Sequence, residues 1–232
     1  MQAPVSHIQN GQHLWLSPER CVYWEEQKAL ILSDLHFGKT GHFRKFGIAV
    51  PQNVYKEDLQ RMVQLIQFFQ PQTLIVVGDM FHSGENLELE LFRKWRTDFS
   101  GLSIQLIKGN HDILQNSWYE NAGMMVHSSS YSLQPFFFTH DISHNIKPAA
   151  SLATQGLPAE APEPNYIFSG HVHPGILVHG GGRQSLRFPC FYFGERYAIL
   201  PAFSRFTGTY LVAPRENENV FAIVENKIVR LQ

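Results

Sequence analysis

The stretch Ile31-Leu32-Ser33-Asp34-Leu35-His36-Phe37-Gly38 joins a short apolar run to a carboxylate and an imidazole two residues apart. On an extended segment, the side chains of residues i and i+2 project to the same face, so Asp34 and His36 are predicted to reach one metal ion. Taken by itself, this pair is only a weak indication of a metal site.

The same transition from apolar residues to metal-competent side chains recurs further along the chain. Short apolar runs lead into Gly78-Asp79, Gly109-Asn110-His111-Asp112, His140 and Gly170-His171-Val172-His173. Buried strands need apolar residues along their length, whereas functional side chains occupy the loops at strand ends. The repetition predicts one sheet edge at which these side chains converge on one site.

The segments between the motifs indicate an α/β protein. Apolar residues recur at three- and four-residue steps over 53–69 and over about 86–98, and a short helix is expected over about 113–121. This alternation of strands and helices favours a largely parallel sheet. After His173 no helical period is evident, so the C-terminal third is expected to be mostly β-structure, giving a two-sheet sandwich flanked by helices.

Length and composition favour one domain covering residues 1–232, because the candidate ligands span much of the chain without a break and 44% of the residues are apolar. A Pro/Ala-rich loop is expected at about 148–164. The net charge of −1 leaves any nucleic-acid contact to local patches. The two cysteines, the absence of a signal-peptide pattern and the lack of a membrane span predict a cytoplasmic protein with no membrane contact.

The strand-end side chains offer oxygen and nitrogen ligands and no thiolate. They are Asp34, His36, Asp79, Asn110, His111, His140, His171 and His173. Such a set suits Mn²⁺, Fe²⁺ or Zn²⁺ better than Ca²⁺, which prefers oxygen ligands alone. Even if one of them, His111, is not a ligand, the remaining seven are too many for one tetrahedral ion and suit two ions that share a carboxylate.

The order of these motifs resembles that of the calcineurin-like metallophosphoesterases. The resemblance implies a four-layer α/β/β/α sandwich of the metallo-dependent phosphatase type. It further implies a first ion bound by Asp34, His36, Asp79 and His173 and a second ion bound by Asp79, Asn110, His140 and His171, with Asp79 as the bridge.

The chemistry expected at such a centre is phosphoester hydrolysis by a metal-bridged hydroxide, since two dications lower the pKa of a shared water. His111 would then donate a proton to, or hydrogen-bond with, the leaving oxygen. Many family members carry an acid three residues after the bridging Asp, where this chain has His82. Either Asp112 or a backbone carbonyl orients His111, or the leaving group needs less help. His82 and Asp112 are therefore either supports of the site or ordinary surface residues.

A finer resemblance is to the ligase-associated DNA damage response endonucleases. It is carried by Asp34-Leu-His-Phe-Gly-Lys39, His42-Phe-Arg44, Gly47-Ile-Ala-Val-Pro51, Gly78-Asp-Met-Phe-His-Ser83 and Leu200-Pro-Ala-Phe-Ser-Arg-Phe-Thr-Gly208. The resemblance implies Mn²⁺-dependent phosphodiester cleavage in single-stranded or damaged DNA. It also implies functional association with an ATP-dependent DNA ligase, a helicase and an exonuclease. Lys39, His42 and Arg44 are expected to hold flanking phosphates.

Two other functions compete with the nuclease hypothesis. A phosphoesterase of the same fold could act on a small molecule such as a nucleotide or a pyrophosphate. A binding module that has kept the fold and lost catalysis is the least favoured, because it predicts missing ligands and none of the seven positions is substituted.

Overall fold

The computed structural model describes residues 2–39, 53–82, 87–142, 166–180 and 185–232. The helices are α1 (Asn53–Phe69), α2 (Leu87–Asp98) and α3 (Asn116–Asn121). The strands are β1 (Val5–Gln9), β2 (Gln12–Ser17), β3 (Cys21–Trp24), β4 (Ala29–Leu32), β5 (Thr73–Val77), β6 (Ser103–Ile107), β7 (Met124–His127), β8 (Ser130–Leu133), β9 (Phe136–Thr139), β10 (Tyr166–Ser169), β11 (Pro174–His179), β12 (Ser185–Phe193), β13 (Tyr197–Ile199), β14 (Tyr210–Leu211), β15 (Asn219–Val224) and β16 (Lys227–Arg230). The loop expected at 148–164 lies outside the described residues.

The first sheet contains β1 to β7 in chain order. Its first three pairings, from β1 to β4, are antiparallel, and those from β4 to β7 are parallel. β4 is buried along its whole length, which explains why its sequence is continuously apolar instead of alternating. Because β4, β5 and β6 run in parallel, the loops that follow them leave the sheet at the same edge.

The second sheet is also mixed and is built around β9, β10 and β13, which pair in parallel. Ser169 lies opposite Thr139, so β9 and β10 end side by side. An isolated bridge between Ser33 and Ala202 connects the end of β4 to the segment after β13. The strand ends of the two sheets therefore meet.

Two large apolar layers and a smaller cluster of Cys190, Tyr192, Ile199 and Val220 hold the described elements together. One layer lies between the helices and the outer face of the first sheet, and Met62, Leu65 and Phe92 belong to it. The other lies between the two sheets and is rich in aromatic residues such as Phe138 and Phe168. Burying one such side chain fully contributes about 1.5–3 kcal/mol. The predicted sandwich of two sheets with helices is confirmed, and every helix in the described ranges packs on the first sheet.

One predicted helix boundary was wrong, and one strand was not predicted. α3 begins at Asn116 and not at Ile113, whose side chain is exposed and whose backbone N–H donates to the His111 carbonyl. The nine-residue strand β12 was missed because it contains Pro189, which normally argues against a strand interior. Pro189 is the last residue that pairs with β11, and from Cys190 onward β12 pairs with β15. The proline thus stands where the strand changes partner.

No helix within the described ranges is both long enough and apolar enough to cross a lipid bilayer.

Candidate metal centre

The candidate ligands lie at strand ends where the backbone adopts the left-handed conformation. Five non-glycine residues show positive φ there: Asp34 (54°), His36 (50°), Asp79 (49°), His171 (63°) and His173 (51°). Each such residue costs of order 1–3 kcal/mol and persists only where its surroundings hold it. The expectation that Asp34 and His36 share a face on an extended segment was wrong, because β4 ends at Leu32 and the chain turns at both residues.

Backbone hydrogen bonds between the first two motifs hold this conformation. The N–H of Asp34 donates to the Gly78 carbonyl at 3.1 Å, and the N–H of His36 donates to the Asp79 carbonyl at 2.9 Å. The two loops therefore form one rigid unit, and their side chains are fixed relative to each other.

Asp34, His36 and His173 form a first ligand group, in which one potential ligand atom from each residue lies within 4.8 Å of the others. His173 Nε2 lies 3.0 Å from Asp34 Oδ1. The other carboxylate oxygen, Oδ2, accepts hydrogen bonds from the Ser33 hydroxyl and from the His171 N–H. Asp34 is completely buried, so its negative charge requires a compensating partner.

Asp79, His140 and His171 form a second ligand group with the same 4.8 Å spacing. His140 Nδ1 lies 3.1 Å from the Val77 carbonyl, which can only accept, so Nδ1 carries a proton. His140 Nε2 then faces Asp79 Oδ2 at 3.4 Å and Asn110 Oδ1 at 3.2 Å. Asn110 thus lies beside this group.

The Asp79 carboxylate lies between the two groups. Its Oδ2 is 4.0 Å from Nε2 of His36 in the first group and 3.4 Å from Nε2 of His140 in the second. Its Oδ1 accepts a hydrogen bond from the His111 N–H at 2.8 Å. This position is the one that a carboxylate shared by two ions requires.

Glycines next to the ligands permit the close approach of these loops. A Cβ at Gly109 would lie 2.1 Å from Asp79 Oδ1, and one at Gly170 would lie 1.9 Å from the Ser33 hydroxyl oxygen. Gly78 combines a φ of 82° with a would-be Cβ only 1.9 Å from His140 Nδ1. No other residue fits at these positions without moving a ligand.

The electrostatics of the site are dominated by buried carboxylates. Burial would raise the pKa of Asp79, but its hydrogen bond with His140 and nearby histidines outweigh burial and lower it. Burial would conversely lower the pKa of His140, but Asp79 and Asp34 raise it. Burial also lowers the pKa of His36, to about 3, and there the charges of Asp34 and Asp79, which raise it, do not outweigh burial. The site therefore combines an ionised Asp79 with a neutral His36, whereas His140 would have to lose a proton to bind a metal ion.

His111 lies at the open side of the site. Its side chain is 42% exposed, and its Nε2 is 4.0 Å from Asp79 Oδ2. The ring of His82 packs against it with 4.2 Å between centroids, while the His36 ring is 5.4 Å away. His82, which replaces the usual acid, therefore contacts His111 by ring packing.

Asp112 is buried and supports the site through hydrogen bonds from backbone N–H groups. Its buried carboxylate accepts hydrogen bonds from the backbone N–H groups of Gly109 and Phe81, both at 2.9 Å, and of Met80 at 3.3 Å. It therefore ties the loop that carries Asp79 to the loop that carries Asn110. Burial raises the pKa of Asp112 to about 6, against the effect of these donors.

Of the residues expected to hold phosphates, Lys39 is half-buried next to the first motif. Burial lowers its pKa, and the charges of Asp79 and Asp34 act in the opposite direction, so its ammonium lies within their field. His42 and Arg44 lie outside the described residues.

A cleft with a volume of about 540 Å³ adjoins the second ligand group, and we call it the lateral cleft. Sequence reasoning did not predict it. It is lined by Lys108, Asn110, Ser129, Thr139, His140, Asp141 and His171. Asp141 Oδ2 lies 3.7 Å from His171 Nε2. The position of Asp141 directly after His140 was the signal that the sequence offered for this cleft.

A buried arginine that was also missed supports the first ligand group from behind. Arg61 of α1 donates to Glu19 Oε2 and to the Phe203 carbonyl, both at 2.9 Å. Phe203 N–H in turn donates to the Ser33 carbonyl at 2.8 Å, and the next residue donates to the Asp34 carbonyl. The position of α1 is thereby linked to the end of β4.

Comparisons with known proteins agree with this geometry. The chain is similar over 98% of its length to the nuclease MPE of Pseudomonas putida, whose crystal structure is covered to 100% with 26% identity and a TM-score of 0.77. A protein of unknown function from Aquifex aeolicus is similar over 67% of this chain and 82% of that chain, with 15% identity and a TM-score of 0.39. A search of curated proteins found no match.

The sequence model of the calcineurin-like phosphoesterases matches residues 28–151, which is just over half of the chain. That range contains the candidate ligands Asp34, His36, Asp79, Asn110 and His140, and His171 and His173 follow it. This chain belongs to the calcineurin-like phosphoesterase family and is a metal-dependent phosphoesterase.

Proposed function

We propose that this phosphoesterase is a two-metal phosphodiesterase or endonuclease whose substrate is single-stranded or damaged DNA. The observation that carries the proposal is the position of the Asp79 carboxylate between the two ligand groups. The similarity to a nuclease over nearly the whole chain supports a nucleic-acid substrate.

The ion assignment uses all seven predicted ligands. Asp34, His36, Asp79 and His173 would hold the first ion, and Asp79, Asn110, His140 and His171 the second. The residues fit divalent ions, because His36 is buried and neither of its ring nitrogens has a hydrogen-bond partner within the described part of the chain. A buried imidazole without partners is costly unless it binds something. The mixed oxygen and nitrogen set favours Mn²⁺, with Fe²⁺ or Zn²⁺ as alternatives.

When bound, such ions lower the pKa of water and polarise phosphate oxygens. The protein's own contribution is orientation and proton transfer. His111 is assigned the proton that the leaving oxygen requires, since it is the exposed imidazole next to the shared carboxylate. The His82 ring limits the orientations that His111 can adopt, in place of the usual acid.

Substrate binding is assigned to local cations, because the net charge of −1 supplies no long-range attraction for DNA. Lys39 is close to the ligand groups, and His42 and Arg44 follow it in the sequence. They would contact the phosphates that flank the cleaved bond. An ATP-dependent DNA ligase, a helicase and an exonuclease remain the proposed functional partners, and the neighbouring reading frames test that association.

The decisive experiment combines metal analysis with a choice of substrates. Purified protein loaded with Mn²⁺ is expected to contain two ions per chain and to cleave single-stranded oligonucleotides. Asp79→Asn is expected to lose bound metal and at least about a hundredfold in kcat/KM, as removal of an essential ligand does. Asp98→Asn, at an exposed position at the end of α2, serves as the matched control.

The substrate comparison includes bis(p-nitrophenyl) phosphate and nucleotide diphosphates. Cleavage of the diphosphates without cleavage of oligonucleotides would replace the nuclease hypothesis by a small-molecule phosphoesterase. Retention of two ions and full activity by Asp79→Asn would contradict the shared-carboxylate assignment.

A further inference from the structure

Residues 202–210, which we call the linking segment, connect two ligands of the first group. Near the start of the segment, the Ser204 N–H donates to the Asp34 carbonyl at 3.2 Å. At its end, the Tyr210 N–H donates to the His173 carbonyl at 2.8 Å. Asp34 follows a strand of the first sheet, whereas His173 follows a strand of the second. The linking segment therefore ties together ligands that the two sheets supply separately.

Two arginines hold the start of the linking segment through its backbone carbonyls. Arg20 Nη1 donates to the Ala202 carbonyl at 3.2 Å and to the Ser204 carbonyl at 2.8 Å. Arg61 Nη2 donates to the Phe203 carbonyl between them at 2.9 Å. These three residues of the segment are at most 4% exposed, so their carbonyls need partners within the protein. The guanidinium groups supply those partners and fix the segment.

One residue separates the Arg20 side chain from a candidate ligand. Ser204 accepts from Arg20 through its carbonyl and donates to the Asp34 carbonyl through its N–H. Asp34 has a φ of 54°, a conformation that persists only where the surroundings hold it. Loss of the Arg20 bonds would loosen Ser204 and thereby remove part of what holds Asp34 in place.

The end of the linking segment is fixed against the strand that follows His173. β14, which begins at the last residue of the segment, pairs with β11 in parallel. A Cβ at Gly175 would lie 2.6 Å from Thr209 Oγ1, so the two chains are in direct contact. Arg187 Nη1 donates to the Thr209 carbonyl at 3.1 Å. An arginine side chain therefore holds a backbone carbonyl near each end of the segment.

The second ligand group is held by contacts of a different kind. The Asp79 carboxylate accepts from the His111 N–H at 2.8 Å, and its carbonyl accepts from the His36 N–H at 2.9 Å. His140 Nδ1 is held by the Val77 carbonyl at 3.1 Å. These bonds do not involve the linking segment, so a change in the segment should act mainly on the first group.

We propose that Arg20 and Arg61 are positioning residues, which hold Asp34 through the linking segment and thereby set the affinity of the first ion. Arg187 has the same role for His173. This inference rests on the ion assignment in the proposed function and states which of the two ions depends on these arginines.

The test measures Mn²⁺ binding by calorimetric titration of metal-free protein in two backgrounds. His140→Ala removes a ligand of the second ion, so the binding that remains is assigned to the first. His173→Ala removes a ligand of the first ion and leaves the second. Each background is compared with and without Arg20→Gly. Because Arg20 has a φ of 67°, glycine removes its side chain without straining the backbone.

We expect Arg20→Gly to raise the Kd of the first ion, measured with His140→Ala, by about 10–100-fold, as the loss of a group that orients a metal ligand does. The Kd of the second ion, measured with His173→Ala, should stay close to unchanged. Arg20→Lys keeps a cation that can donate to both carbonyls and should restore most of the affinity.

Lys28→Gly is the matched control, because Lys28 is an exposed cation with a φ of 46° in the turn before β4. It should change neither Kd. Arg187→Ala repeats the test at an exposed position and is expected to weaken the first ion alone. Thermal unfolding of the metal-free variants checks the fold, and Arg187→Ala decides the question if Arg20→Gly does not fold.

The possible results separate this inference from the proposed function. If Arg20→Gly, or Arg187→Ala in its place, weakens both ions equally or neither, the positioning role is overturned and the two-metal centre stands. If the wild type binds fewer than two Mn²⁺ ions, the ion assignment itself fails, whatever the arginine variants do.

Discussion

At the scale of single residues, the site depends on glycines that let backbone and side chains approach closely. Gly109 is the clearest case, because a methyl group there would overlap Asp79 Oδ1 and also lie 2.4 Å from the Asp79 backbone nitrogen. The Asp79 backbone is itself bound to the His36 loop, so it cannot move away cheaply.

We therefore expect Gly109→Ala to lower the free energy of unfolding by about 1–3 kcal/mol, as overpacking does, and to weaken Mn²⁺ binding. Urea unfolding and calorimetric titration measure the two effects. Gly101→Ala is the control, since a Cβ at Gly101 would meet no atom within 4 Å. Equal effects of the two substitutions would show that close approach at Gly109 is not the constraint.

The contact between His82 and His111 leads to a second residue-level prediction. Loss of a general acid lowers the rate by about 10²–10⁴, and we expect His111→Ala to do so. His82→Ala is expected to lower kcat by roughly tenfold without changing KM or metal content, because His111 becomes less well oriented. His82→Phe keeps a ring at the 4.2 Å packing position and should retain most of the activity.

The double variant distinguishes positioning from independent action. If His82 acts through His111, then His82→Ala adds nothing to His111→Ala in kcat for bis(p-nitrophenyl) phosphate. Multiplicative losses would instead assign His82 a separate role.

At the scale of elements, the two sheets meet through aromatic packing that includes one histidine. His7 of β1, in the first sheet, packs against Phe193 of β12 at 4.3 Å and Phe221 of β15 at 5.2 Å between ring centroids. Burial lowers the pKa of His7 below its usual 6.5, against a hydrogen bond with Gln9. The neutral ring is thus the form that this interface accepts.

The lowered pKa of His7 determines how folding stability depends on pH. Below pH 6.5 the unfolded chain binds a proton at His7 that the folded protein does not, so folding stability falls as the pH decreases towards the lowered pKa. We expect His7→Phe to reduce the loss of stability between pH 7.5 and 5.5, measured as urea midpoints. His179→Phe, at an exposed position in β11, should leave that loss unchanged. An equal loss in His7→Phe and the wild type would contradict the assignment.

Sequence patterns predict the buried elements of this fold better than they predict its turns. The apolar runs of β4 and β5 and the periodicity of α1 reflect burial, and burial is what these elements show. The left-handed turn at Asp34 leaves no comparable pattern, because it is imposed by hydrogen bonds from distant loops. Pro189 hid strand β12 for a similar reason. The proline is tolerated because β12 changes its pairing partner there, and the sequence does not show which strands pair.

The candidate ligands were found for a different reason, namely that the residue types and their order are specific even though each motif is short. The side chains singled out in this way do lie together, while ion binding stays a prediction. Arg61 could not have been found, because its importance comes from a buried network that the sequence does not encode locally.

At the scale of the whole molecule, both ligand groups draw residues from both sheets. Asp34, His36 and Asp79 follow strands of the first sheet, whereas His140, His171 and His173 follow strands of the second. An ion in either group would bind the folded protein and not the unfolded chain.

We therefore expect each Mn²⁺ ion to raise the free energy of unfolding by about 2.7 kcal/mol at a concentration a hundred times its Kd. Urea unfolding of metal-free and Mn²⁺-loaded protein measures this shift. Ca²⁺ should produce a smaller shift, since it prefers oxygen ligands alone. An unchanged midpoint in Mn²⁺ would contradict the proposed centre.

The bridge between Ser33 and Ala202, where the two sheets touch, has a consequence for assembly. Neither ligand group is complete until the two sheets have docked. Mn²⁺ is therefore expected to stabilise the native state and not the transition state for folding. The rate constant of refolding should then be the same with and without Mn²⁺, whereas the rate constant of unfolding should be markedly lower with Mn²⁺.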